Sequence, residues 1–178
     1  MGQVFFTADT HFGHDAIVKF CERPWPNSKV MDRALVRNWN SVIKEEDTVY
    51  ILGDFTMAGP SKTNEVEKIV SKLNGTKILV IGNHDRLKMH NYTDIGFYQV
   101  AYPFLTFNNW YMVHDPSLAV ACPKNSIVLS GHLHGLYGKS NIGPKDQTII
   151  DVGVDAWNYT PVSYKQIIEE IENVKTSN

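Results

Sequence analysis

Four short apolar runs in this chain stop abruptly at polar residues, and that punctuation constrains the fold more than any other feature. Val4-Phe5-Phe6-Thr7 precedes Ala8-Asp9-Thr10-His11, and Thr48 to Leu52 precedes Gly53-Asp54-Phe55. Ile78 to Ile81 precedes Gly82-Asn83-His84-Asp85, and Ile127 to Leu129 precedes Ser130-Gly131-His132-Leu133-His134. Continuous β-branched and aromatic runs bounded by turn formers predict buried strands. Helical periodicity recurs between them. Ser28 is placed to cap a helix carrying Met31, Leu35, Trp39, Val42 and Ile43 on one face. Val66, Ile69, Val70 and Leu73 repeat the pattern before the stop signal Asn74-Gly75. Phe97 to Val113 predicts a hairpin around Phe107-Asn108-Asn109-Trp110, and Ser163 a cap ahead of Ile167, Ile168 and Ile171. Strands alternating with helices predict an α/β layered fold. Ligands in such folds sit at the carboxyl ends of strands, where the polar clusters fall.

At 178 residues, 43% apolar and 20% charged, the chain reads as one globular domain spanning 1–178, without repeats or linkers. A net charge of -2 and a pI near 6.4 argue against bulk binding to nucleic acid. Cys21 and Cys122 are too few for a disulfide scaffold and lack zinc-ribbon spacing, so a reducing cytoplasm fits best. The N-terminus has no basic leader, and no apolar run approaches the ~20 residues of a membrane helix.

Of seven histidines, His11, His84, His114, His132 and His134 stand in or just beyond a predicted strand, beside Gly or Asp. Singly, each reads as an ordinary buried imidazole with a hydrogen-bond partner. That reading would have to hold five times at the same kind of position. Asp9-x-His11 and His132-x-His134 each put two donor groups on one side of an extended chain, a ready two-ligand pincer. Asp54 and the Asn83-His84-Asp85 run add oxygen donors and another imidazole. The flanking glycines leave space for ions or substrate near the backbone.

In order, DTH (9–11), GD (53–54), GNHD (82–85), the lone His114 and GHLH (131–134) resemble the calcineurin-like metallophosphoesterases. The opening DTHFGHDAI and the tail DVGVDAW (151–157) resemble a small prokaryotic and phage branch of that family. The resemblance implies a four-layer α/β/β/α sandwich with mixed sheets. It implies one metal on Asp9, His11 and His134, a second on Asn83, His114 and His132, and Asp54 bridging the two. His84 would stand beside the centre as acid or charge stabiliser, supported by Asp85. Imidazole and oxygen donors without thiolates suit two divalent transition-metal ions, Mn foremost, with Fe, Zn, Ni or Co compatible. Two such ions against two carboxylates and a bridging hydroxide would leave roughly one positive charge to attract a phosphate.

The implied reaction is in-line attack of a metal-bridging hydroxide on a phosphate ester. A phosphodiester or nucleotide substrate, including a nucleic-acid end, is favoured, because the short stretch after GNHD leaves little material for a cap. The alternatives are a phosphomonoesterase or protein phosphatase, and a non-catalytic interaction scaffold of the same fold, against which the complete ligand set speaks. No HxHxDH block is present, which sets aside the β-lactamase-like metallohydrolases.

His14 is expected either to cap the following helix or to reach the phosphate from the rim. Arg23 reads as a phosphate clamp or, preferably, as a solvated surface residue, and Arg86 is similarly ambiguous. His90 is expected on the surface and Trp39 in the core. Glu169, Glu170 and Glu172 should form the solvated face of the last helix, and the two cysteines should serve packing.

Overall fold

A computed structural model describes residues 2–176. In chain order β1 (Val4–Thr7) leads to α1 (Asp15–Phe20), α2 (Ser28–Val42), β2 (Thr48–Leu52), α3 (Thr63–Val70) and β3 (Thr76–Val80). Next come α4 (Met89–Asp94), β4 (Gln99–Ala101), β5 (Phe104–Phe107), β6 (Trp110–Val113) and β7 (Ile127–Ser130). The chain closes with β8 (Ser140–Ile142), β9 (Thr148–Asp151), β10 (Val162–Ser163) and α5 (Tyr164–Thr176). Two five-stranded mixed sheets result, ordered β10-β1-β2-β3-β4 and β5-β6-β7-β9-β8.

The period-two pleat explains why the strand sequences are apolar without alternation. Phe5, Val49, Ile51 and Leu79 point outward, into a cluster with Met31, Leu35 and Trp39 of α2 and Val66 and Val70 of α3. Phe6, Leu52 and Val80 point inward, against Trp110, Met112, Leu129 and Ile150 of the second sheet. The outer face of that sheet is covered more thinly, by Ala119 and Cys122 at a 3-10 turn packed on Val128 and Ile149. Helix α5 lies across β1, β8, β9 and β10 and sends Ile167 and Ile171 into the inter-sheet core. The layers are therefore α/β/β/α.

The expected strands and helices are present, with adjustments at their ends. Asn27, not Ser28, caps α2: its side chain accepts from Val30 N at 3.0 Å, while Ser28 is the first helical residue. Val42 is 36% exposed, and Ile43, just past the helix, takes the core position. The hairpin turns at Asn108 and Asn109, with φ of 48° and 64°, the left-handed pair that a two-residue turn demands. Ser163 and Gln166 bond reciprocally at the start of α5, forming a capping box.

Because β1, β2 and β3 are parallel neighbours, their carboxyl ends lie side by side. Parallel β6 and β7 do the same in the second sheet. An isolated bridge from Ala8 to Gly153 links the loop after β1 to the chain leaving β9. The polar loops from both sheets thereby meet at one edge of the sandwich.

Candidate metal centre

The loops are shaped by an unusual backbone. Asp9, His11, Asp54, His132 and His134 have φ of 57°, 50°, 53°, 76° and 50°, in the left-handed region. Asp, Asn and His enter that region more readily than other non-glycine residues. The turns are pinned together by Asp9 N donating to Gly53 O and His11 N to Asp54 O, both at 3.0 Å. A side chain at Gly82 would collide with Asp54 Oδ1, and one at Gly131 with Asp9 Oδ2. Gly82 and Gly131 therefore clear space for the carboxylates.

The side chains form two groups. Asp9, His11 and His134 present donor atoms all within 4.8 Å of one another, and Asp54, His114 and His132 do the same. Asn83 joins the second group, its Oδ1 lying 2.8 Å from His114 Nε2 and 3.0 Å from His132 Nδ1. Asp54 spans both. One of its oxygens is 3.5 Å from His11 Nε2 and the other 3.4 Å from His114 Nε2. The two histidines of GHLH thus separate, His132 to one group and His134 to the other.

The electrostatics fit a cation in each group. Burial pushes the Asp9 carboxyl up to about 7, although His114 and His134 pull against that rise. Asp9 Oδ1 has no hydrogen-bond partner, and neither ring nitrogen of His11 has one. Buried orphans of this kind are costly, and a metal ion is a partner that would satisfy Asp9 Oδ1 together with one His11 ring nitrogen. Burial also lowers His11 to about 3, keeping the ring neutral with one nitrogen lone pair free for coordination. Burial opposes ionisation of both Asp54 and His114, yet their mutual contact prevails, helped at Asp54 by the His84 N–H and at His114 by the Asp9 carboxylate, leaving Asp54 at about 2 and His114 at about 9. A metal would take the place of that proton.

Other positions receive roles that the sequence left open or misplaced. The His84 ring lies 5.5 Å from that of His11, and its backbone N donates to Asp54 Oδ1 at 2.8 Å. His14 takes the N-cap position of α1 without a capping hydrogen bond from its side chain, and its ring sits 5.4 Å from His11 and 6.4 Å from His84. Asp85 accepts from Asp54 N, Phe55 N, Thr56 N, Gly82 N and Tyr92 OH, and none of these bonds comes from His84. It braces the Asp54 loop instead.

Arg23 is a further correction. It is 4% exposed rather than solvated, and its guanidinium is engaged on both oxygens of Asp155 and on the carbonyls of Asp9 and Thr10. It is not free to clamp a phosphate. Asp155 went unrecognised in the sequence apart from its place in DVGVDAW. It also accepts from His134 Nδ1 at 2.8 Å, and Cys21 lies beside the pair. Arg86 and His90 are exposed, and Trp39 is buried.

Two face-to-face mixed sheets with Asp/His clusters at their joined carboxyl edge define a metallophosphoesterase. The chain belongs to the calcineurin-like phosphoesterase family, whose model matches residues 2–158. That family carries out metal-dependent hydrolysis of phosphoesters. An uncharacterized protein of Methanocaldococcus jannaschii, MJ1445, is 30% identical over 179 aligned residues, covering 98% of this chain and 94% of the relative. The gene 66 protein of Mycobacterium phage D29 is 34% identical over 86 residues, 48% of this chain and 42% of its own. A crystal structure of the Aquifex aeolicus protein AQ665, of unknown function, shares the fold at a TM-score of 0.70 and 23% identity. It covers 95% of this chain and 99% of its own.

Proposed function

We propose that residues 1–178 form a single-domain, dinuclear phosphoesterase acting on phosphodiesters or nucleotides. The observation that carries this reading is Asp54, whose two oxygens face His11 on one side and His114 on the other. Asp9, His11 and His134 would hold one divalent ion, Asn83, His114 and His132 the other, and Asp54 both. When bound, such ions supply Lewis acidity toward phosphate oxygens and activate a water at neutral pH. Imidazole and oxygen donors suit Mn, Fe, Zn, Ni or Co, of which Mn is the one proposed. His84 donates a hydrogen bond to the developing charge or a proton to the leaving oxygen. His14 adds a second imidazole on the same rim, and Asp85 keeps the Asp54 loop in register. Only the short α4 stands between GNHD and β4, so an open site able to admit a diester is favoured. No helix among the described residues is long and apolar enough to cross a membrane, and two free cysteines suit the cytoplasm.

The test pairs metal analysis with turnover of bis- and mono-p-nitrophenyl phosphate in Mn. Two ions per chain and faster diester hydrolysis are expected, with Asp54→Asn losing both occupancy and turnover and His84→Ala losing turnover alone. One ion or fewer in the wild type, or an active Asp54→Asn, would overturn the reading, and a strong monoester preference would reassign the substrate.

A further inference from the structure

The Asn83–His114–His132 group opens directly into a pocket of ≈ 250 Å³ whose remaining wall is formed chiefly by Tyr102, Pro103 and Leu118, with Asp115 beside them. We propose that this pocket receives the nucleoside of a nucleotide or nucleotide diester whose phosphate sits at the metal centre. The inference rests on the phosphoesterase reading and extends it to substrate class.

Continuity places the substrate. The pocket shares three side chains with the centre, so a phosphate held there presents its ester group to the pocket without an intervening gap. Size limits the occupant: the volume is just under the ~300–1,000 Å³ typical of drug-sized ligands, which leaves room for one nucleoside. Surface chemistry narrows it further. Tyr102 is 72% exposed and Leu118 36% exposed, apolar surface left open beside an otherwise polar centre. An exposed aromatic ring beside a phosphate site is a stacking platform that accepts any base.

Charge excludes the competitors. Asp115 contributes a carboxylate, and neither Lys nor Arg is among the lining residues, so a second phosphate or an acidic peptide is disfavoured. One Asp115 oxygen already accepts from Ser117 N at 2.8 Å. A carboxylate oxygen accepts more than one hydrogen bond, so Asp115 can also accept from a ribose hydroxyl or a base amino group, which a plain aryl ester lacks.

Calorimetry on the Mn-loaded protein tests this with adenosine 5′-monophosphate, ribose 5-phosphate, phenyl phosphate and inorganic phosphate. Adenosine monophosphate should bind about ten-fold more tightly than ribose 5-phosphate, the gain expected of one stacked base. It should also outbind phenyl phosphate. Tyr102→Ala should erase the gap to ribose 5-phosphate, and Tyr102→Phe should keep it. Equal affinities in the wild type, or a gap that survives Tyr102→Ala, overturn the nucleoside pocket while leaving the phosphoesterase reading intact. Failure of inorganic phosphate to bind with Mn would instead bring down that reading and this inference together.

Discussion

His134 owes its orientation to residues far from it in sequence. Asp155 Oδ2 accepts from its Nδ1, and Arg23 grips both Asp155 oxygens at 2.9 and 2.7 Å while also donating to Asp9 O at 2.7 Å. One guanidinium thus ties two ligand loops together. A carboxylate behind a ligand imidazole fixes its tautomer, so Asp155→Asn should weaken Mn binding about 10–100-fold in a metal titration. Unchanged Mn affinity would refute that role. Arg23→Ala leaves the Asp155 carboxylate with His134 alone and strips the Asp9 and Thr10 carbonyls of their donor, and should cost about 3–5 kcal/mol in urea unfolding. Arg23→Lys should recover only part of it, since an ammonium cannot reproduce the two-pronged contact. An effect within about 0.5 kcal/mol for the alanine variant would show that the pair is not structural. The candidate ligands were legible because each abuts the end of an apolar run. This pair was not, because Arg23 and Asp155 stand 132 positions apart and no periodicity links them. Arg23 consequently read as surface.

Among the elements, α2 carries a restraint on the first ligand loop. Asp32 accepts from Gly13 N through both oxygens, at 3.1 and 3.2 Å. Burial raises its carboxyl to about 6, against the pull of that hydrogen bond. The folded state therefore holds the Asp32 proton more tightly than the unfolded chain does. Stability is lost as pH climbs from about 4 to about 6. Asp32→Asn should remove this dependence, gaining about 1 kcal/mol on the wild type between pH 4 and pH 8 once solvent screening is allowed for. Urea midpoints at the two pH values measure it, and a pH-independent difference would refute it. Strands β1, β2, β3 and β7 were legible from their composition, whereas β4, with only three residues, carries too little pattern to announce itself. Cap register was ambiguous because Asn27 and Ser28 are both good caps. The extended backbone at Asn27, φ of -165°, settles it.

At the scale of the whole molecule, the candidate ligands divide between the sheets. Asp9, Asp54 and Asn83 follow β1, β2 and β3, while His114, His132 and His134 follow β6 and β7. Ions held by both sets would join the sheets, and anything that binds only the folded state stabilises it. At 100-fold excess over Kd, Mn should add about 2.7 kcal/mol and raise Tm by about 5–10 °C, reversed by chelator and much reduced in Asp54→Asn. A metal-independent Tm would argue against ions spanning the sheets. The layered architecture was legible because strands and helices alternate. The fourth layer followed from the family resemblance alone, because the 3-10 turn that covers the second sheet leaves no periodic trace.

The left-handed backbone at five of the seven candidate ligands carries a consequence for how this centre can change. Apart from glycine, the residues that tolerate such torsions best are Asn, Asp and His, and Asp and His are what stand there. Glu and Gln offer a metal the same oxygens, but they enter this conformation less readily. The loop conformation therefore sets the alphabet of the centre before coordination chemistry does. Variants that retune its metal preference would have to be spelled in Asp, Asn and His.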